Sequence, residues 1–238
     1  GYRIAPVTDA PATKYVFVTI VENYVRLEGI ELSGSGITNA NRIYGVESDN
    51  NLTGPSDLRL DALIIHDFTN VNSGNSGWLN GVDNDTASFT ITNSIFYNIV
   101  NNDSSSASAG GIWTGFAGGE QRYYNNTMYN IIDNGSQSAF GIGRSNGTVY
   151  AKNNYAGKVT SGTSAACYSG TFAVGSTNNV SSDLTGDDGN LANGVVNATN
   201  YSSYFESVLS GAEDFHLKAT DTVLRNTGAN LSGDGYYI

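Results

Sequence analysis

One cysteine, three prolines and two histidines are all that a chain of 238 residues contains of those types. A single thiol, Cys167, excludes an internal disulfide and any cysteine-rich zinc site. Charged side chains make up only 14% of the chain, and 22 acidic against 11 basic residues leave a net charge of -11. Such a surface repels phosphate backbones, so nucleic acid is not an expected partner. No apolar run approaches the roughly 20 residues that a membrane-spanning helix needs. No segment sustains a 3.6-residue apolar period either, so helices are not expected. The chain opens on Gly1 without Met or a leader pattern, the expectation for a processed chain or a piece of a longer one.

What the chain does have is Gly (29 residues), uncharged polar residues and a repeat. Apolar residues two apart, then a small or amide residue, then another apolar residue three further on, recur five times. The copies are Val25-Arg26-Leu27-Glu28-Gly29 to Leu32, Leu58-Arg59-Leu60-Asp61-Ala62 to Ile65, and Phe89-Thr90-Ile91-Thr92-Asn93 to Phe96. Gln121-Arg122-Tyr123-Tyr124-Asn125 to Met128 is the fourth, and Val149-Tyr150-Ala151-Lys152-Asn153 to Ala156 a weaker fifth. The marker falls at 29, 62, 93, 125 and 153, intervals of 33, 31, 32 and 28 residues. Each copy is followed by a second β-prone segment: Arg42 to Val46, Gly77 to Val82, Gly111 to Gly115, Ala139 to Gly143 and Ala166 to Tyr168. A strand unit repeating at this spacing buries its apolar side only by coiling and stacking on its copy.

Stacking at about 4.8 Å per layer predicts columns of equivalent residues. Leu27, Leu60, Ile91, Tyr123 and Ala151 form one, and Leu32, Ile65, Phe96, Met128 and Ala156 a second; both are expected inside. Arg26, Arg59, Thr90, Arg122 and Tyr150 form a third, expected outside. Asn93, Asn125 and Asn153 suit an amide ladder at a corner, where Asn tolerates a left-handed backbone. Asp67, Asn98 and Asn130 make a further polar column of turn residues. The fold expected is all-β, a single parallel β-helix with an irregular C-terminal tail. Coils are expected over residues 1–175, with 176–238 a loop and tail packed on the same domain.

The coil phrases Phe89-Thr90-Ile91-Thr92-Asn93-Ser94-Ile95-Phe96-Tyr97-Asn98 and Tyr123-Tyr124-Asn125-Asn126-Thr127-Met128-Tyr129-Asn130 resemble right-handed parallel β-helix proteins of the pectate-lyase-like superfamily. Asp214-Phe215-His216-Leu217-Lys218, running on through Gly228 to Leu231, is similar to a tail that often follows such coils in secreted β-helix proteins. The resemblance implies right-handed winding. It also implies a superfamily of polysaccharide lyases and hydrolases together with phage tailspikes, adhesins and other non-catalytic surface proteins.

Chemistry of the lyase kind needs carboxylates for calcium and a basic residue to take a proton. The nearest arrangement is Arg26 and Arg59 beside Glu28 and Asp61, on one strand face; its plainer reading is a surface ion-pair ladder. Glu47, Asp49, Asp83 and Asp85 follow the second strands of consecutive coils and are candidates for a calcium corner. Asp183, Asp187 and Asp188 with Asn190 are a second candidate loop. His66 and His216 read as structural residues. Trp78 and Trp113, with Tyr44, form a strip for sugar or partner stacking if they face outward, and core filler if they face inward. The expectation is a non-catalytic extracellular, cell-surface or virion component, an appendage, coat or adhesin. The alternative is a polysaccharide-active enzyme or carbohydrate-binding module. Self-association, or docking in a larger assembly through the solenoid ends and the tail Gly235 to Ile238, is expected because open strand edges need cover.

Overall fold

A computed structural model describes residues 2–4, 14–37, 40–48, 57–70, 77–85, 88–104, 108–115 and 119–234. Its architecture is a parallel β-solenoid in which each coil passes through three sheets in turn. Sheet C collects Arg26–Glu28, Leu58–Asp61, Phe89–Thr92, Glu120–Tyr124 and Thr148–Lys152. Sheet A takes Tyr2–Ile4, Ile30–Ser33, Ile64–Asn70, Ile95–Asn101, Thr127–Asp133, Tyr155–Ser161 and Val180–Ser181. Sheet B takes Lys14–Ile20, Arg42–Ser48, Trp78–Asn84, Ser108–Thr114, Ser138–Arg144 and Ser164–Ser169. Each repeat copy therefore breaks at its marker into two strands, one in sheet C and one in sheet A.

The pairing registers reproduce the columns. Leu27, Leu60, Ile91, Tyr123 and Ala151 lie in line, as do Leu32, Ile65, Phe96, Met128 and Ala156. Leu60, Ile91, Ile65, Phe96 and Met128 are fully buried. The Arg26, Arg59, Thr90, Arg122 and Tyr150 column also holds its register, with one correction: Thr90 is buried, not exposed. Its short side chain lies between the longer Arg59 and Arg122, its register neighbours.

The break at each marker has a backbone cause. Gly29, Ala62, Asn93, Asn125 and Asn153 all carry φ between 51° and 66°, a left-handed turn that Gly and Asn adopt at least cost. Outward amides link the corners: Asn93 donates to Asp61, Asn125 to Asn93, and Asn153 to Asn125. Asn98 donates to Asp67 and Asn130 to Asn98, giving a second ladder with φ of 54–59° inside sheet A. A third, buried ladder was not expected. Ser94 N–H donates to Asn126 Oδ1, Asn126 N–H to Asn154, and Asn154 N–H to Asn179.

Sheet B and sheet A approach closely along a glycine column, Gly45, Gly81, Gly111 and Gly141. A Cβ on Gly111 would stand 2.6 Å from the Gly141 carbonyl and 2.7 Å from Met128 Cγ. Overpacking of this kind costs typically 1–3 kcal/mol. Gly111→Ala is expected to lower the unfolding free energy by about that amount. Denaturant titration checks this, and an unchanged midpoint would refute the close approach.

Stacking continues past Cys167, where residues 176–204 were expected to cross the surface as a loop. Thr177 bridges Lys152 and Ala192, Val180 pairs with Tyr155 and Val195, and Asn178 and Asn193 repeat the corner with φ of 56° and 53°. The final sheet B strand is closed by side chains: Asp183 accepts Cys167 N–H at 2.7 Å and Thr185 Oγ1 accepts Tyr168 N–H at 2.9 Å. Beyond, Phe205–Ser207 and Asp214–Leu217 form an antiparallel pair. Phe205 and Phe215 pack on Tyr155, Tyr129 and Tyr97, making a second aromatic core on the outside of sheet A. The ladders anchor this tail, because Asn153 exchanges hydrogen bonds with Ala229 and Asn98 donates to Glu213.

Candidate functional site

Two outward faces carry the candidate residues. On sheet C, Glu28 and Asp61 are register neighbours, as are Arg26 and Arg59, around a shallow depression of about 230 Å³. The arginines converge on Asp57 rather than on the two acids: Arg26 Nη2 stands 2.8 Å and Arg59 Nε 3.1 Å from its carboxylate. Hydrogen bonding from Arg59, then from Arg26, holds the Asp57 carboxyl below its usual value. Asp61 accepts Thr92 Oγ1 at 2.6 Å and Asn93 Nδ2 at 2.8 Å. These groups staple successive coils. All three members of the Asp57 cluster are well exposed, so water and salt screen them. Asp57→Ala is expected to cost less than about 1 kcal/mol at neutral pH. That contribution is lost as pH falls through the depressed carboxyl value, which thermal melts at pH 7 and pH 3 check.

His66 and His216 have structural surroundings. His66 is buried in sheet A, with Nε2 at 3.1 Å from Glu31, Nδ1 at 2.9 Å from Asp67, and its ring stacked 4.7 Å from Tyr97. His216 lies in the tail beside Asp214. In the second acidic loop, Asp183 and Asp187 accept backbone N–H groups and Asn190 donates to Phe172 O.

The outer face of sheet B is different in character. Alternation slips there at the glycine column, so Ile43 and Val46 both point to the core while Tyr44 and Glu47 point out. Glu47, Asp83, Trp113 and Gly143 share one outward column, and Tyr44, Asn80, Gly110 and Phe140 the other. Trp78 and Trp113 both face outward and are half-buried. They are not equivalent positions, since Trp78 pairs with Ser108 and Trp113 with Asp83. Tyr44 is buried instead of extending their strip, and Lys14 Nζ lies 5.1 Å from its ring centroid.

Three of the four calcium candidates converge on this face, and Asp49 lies outside the described residues. Burial raises the Asp83 carboxyl to about 7, with the charges of Asp85 and Glu47 adding to it and Lys14 opposing. Asp85 is raised by burial and by Glu47. Lys14 pairs directly with Glu47. No three His, Cys, Asp or Glu side chains among the described residues are placed to hold a metal ion together. Burial first, and then the neighbouring carboxylates, raise proton affinity here.

A carboxyl whose folded value is above its unfolded one is protonated in the native state and ionised in the unfolded state over the interval between them. Stability therefore falls as pH rises from about 4 towards 7. Asp83→Asn removes this penalty. The variant is expected to melt above the parent at pH 8 and alongside it at pH 4; equal melting at pH 8 would contradict the burial of this acid.

No protein-family model, no curated protein and no solved structure matches the chain.

Proposed function

We propose that this chain is a non-catalytic extracellular, cell-surface or virion component, an adhesin, coat or appendage element. We further propose that it is built on a right-handed β-helix of the pectate-lyase-like kind. The observation that carries this reading is the use made of the outward polar columns. Asp61, Asn93, Asn125 and Asn153 bond to one another from coil to coil, as do Asp67, Asn98 and Asn130, and Arg26 and Arg59 are held by Asp57. Side chains engaged in bonding neighbouring coils favour a rigid rod over a reaction centre. Among the described residues, no helix is long and apolar enough to cross a membrane.

Assembly belongs to the same reading and is assigned to the Lys14–Ile20 end. That strand is the outermost of sheet B among the described residues, and Tyr15, Phe17 and Val18 on it are only partly buried. The opposite end has the side-chain closure by Asp183 and Thr185. The tail Gly235 to Ile238 lies outside the described residues.

The alternative, a polysaccharide lyase or hydrolase, is favoured by one observation, the near-neutral Asp83 carboxyl beside Asp85. Turnover separates the two. Incubation with polygalacturonate and with neutral polysaccharides is expected to release neither unsaturated uronides nor new reducing ends. Turnover abolished by Arg59→Ala or Asp83→Asn would establish the enzyme instead.

A further inference from the structure

The outer face of sheet B has an arrangement that the polar ladders do not absorb. Trp78 and Trp113 stand on adjacent strands but five register positions apart, roughly 16 Å of backbone at about 3.3 Å per residue. Their ring centroids are nevertheless only 5.3 Å apart, with a 42° tilt. Each indole must therefore lie along the sheet towards the other instead of standing away from it. Glycine makes this fit. A Cβ on Gly143 would meet Phe140 Cδ2 at 2.7 Å and Trp113 Cε3 at 2.9 Å, so both rings rest on bare backbone. Phe140, nearly fully buried, supports Trp113 from 5.2 Å.

Acidic groups border this aromatic floor. Asp83 is the register neighbour of Trp113. A Cβ on Gly115 would stand 2.6 Å from Asp85 Oδ1 and 3.4 Å from Trp113 Nε1, which puts that carboxylate and the indole N–H around one point. Asn80, fully buried, touches Asp83 through Nδ2 at 3.4 Å, while its Oδ1 has no hydrogen-bond partner and stands over Gly110 in the same outward face. The protein already recognises one ammonium with these elements. Lys14 sits between the Glu47 carboxylate and the Tyr44 ring. One coil further on, Asp83 and Asp85 repeat the carboxylates beside larger rings, and Lys14 influences Asp83 less than burial, Asp85 or Glu47 do.

We propose that Trp78, Trp113, Asp83 and Asp85 form a binding site for a glycan bearing free amino groups. A pyranose stacks its C–H face on an indole, and its ammonium meets the carboxylates and the electron-rich ring. An acidic uronate chain is repelled by Glu47 and Asp85. The site rests on the surface-protein reading and gives it a ligand class.

The test uses the two tryptophans of the chain, both in the site, as the reporter. Fluorescence titration and calorimetry at pH 6 compare a glucosamine hexamer, its fully N-acetylated counterpart, oligogalacturonate and an oligolysine peptide. The glucosamine oligomer is expected to shift the emission and to bind at least tenfold more tightly than the other three. Asp83→Asn and Trp113→Ala are each expected to weaken it at least tenfold, while Arg59→Ala, on sheet C, leaves it unchanged. Proton release on binding is expected as the ammonium draws Asp83 into its ionised form, against Glu47, Asp85, Lys14 and Tyr44 around it. Equal binding of the N-acetylated oligomer overturns the role of the amine, and equal binding of oligolysine overturns the sugar. No response to the glucosamine oligomer overturns the site. That failure leaves the surface-protein reading standing, because only turnover of a polysaccharide overturns that one.

Discussion

Replacing Phe96 by alanine is expected to lower the stability of the solenoid by about 3–5 kcal/mol, the range of phenylalanine truncations in close-packed cores. Phe96 lies between Ile65 and Met128 in an interior column and is fully buried. The Gly81 backbone of sheet B presses on its ring from across the core. Neither neighbour in the column can move into the space, since each is held in register by its own strand. A cavity therefore persists and adds to the lost transfer energy. Against a total of about 5–15 kcal/mol for a typical domain, this is a large share. Guanidinium titration followed by far-ultraviolet circular dichroism checks it, with the midpoint falling and the slope unchanged. A loss below about 1 kcal/mol would place Phe96 outside a packed core.

The second large effect is expected at Asn126. Its Nδ2 donates to Ile91 O at 2.9 Å and to Asn154 Oδ1 at 3.0 Å, and its Oδ1 accepts Ser94 N–H at 3.0 Å. Asn126→Ala strands these groups where water does not reach, at about 1–3 kcal/mol for each one left unsatisfied. A loss of roughly 3 kcal/mol or more is the expected result. Its neighbour provides the control. Asn125 carries φ of 57° and bonds outward to Asn93 and Asn153. Asn125→Ala is expected to cost only about 1–2 kcal/mol, mostly for the left-handed backbone, and Ala62 already occupies an equivalent corner with φ of 52°. Paired denaturation curves decide the matter. Equal losses at 125 and 126 would show that the inner ladder carries no special weight.

That contrast marks a limit of reading this chain. Asn125 and Asn126 are the same residue type side by side, and the outward ladder was expected from the repeat of Asn93, Asn125 and Asn153. The inward one was missed, although doubled asparagines at 125–126, 153–154 and 178–179 signal it. The third pair also marks a further coil, in a region expected to be a loop because its apolar residues are sparse. Short coils need fewer of them when amides supply the stacking contacts.

On sheet B the sequence was ambiguous for a geometric reason. Whether Trp78 and Trp113 faced in or out depended on strict alternation, and the glycine column at 45, 81, 111 and 141 breaks it. The meeting of the two indoles could not be foreseen either, because they occupy different register positions and approach only through the lean of their side chains. Glu47, Asp83 and Asp85 were singled out together, but their effect on one another follows from burial that spacing does not encode.

By itself the sequence determined the columns. In a parallel, in-register stack each residue's neighbour is its own equivalent one repeat away, so a period and a marker residue suffice to place Leu60 under Leu27 and Phe96 under Ile65. Tertiary structure alone decided what packs against the outer faces. The aromatic core between the Phe205–Ser207 and Asp214–Leu217 strands and sheet A joins residues as far apart as Tyr155 and Phe205, or Tyr97 and Phe215, with no common period. The Trp78 and Trp113 floor depends on where side chains lean after the backbone has bent. Periodicity carries information along the stacking axis, and contacts made across it depend on the folded surface.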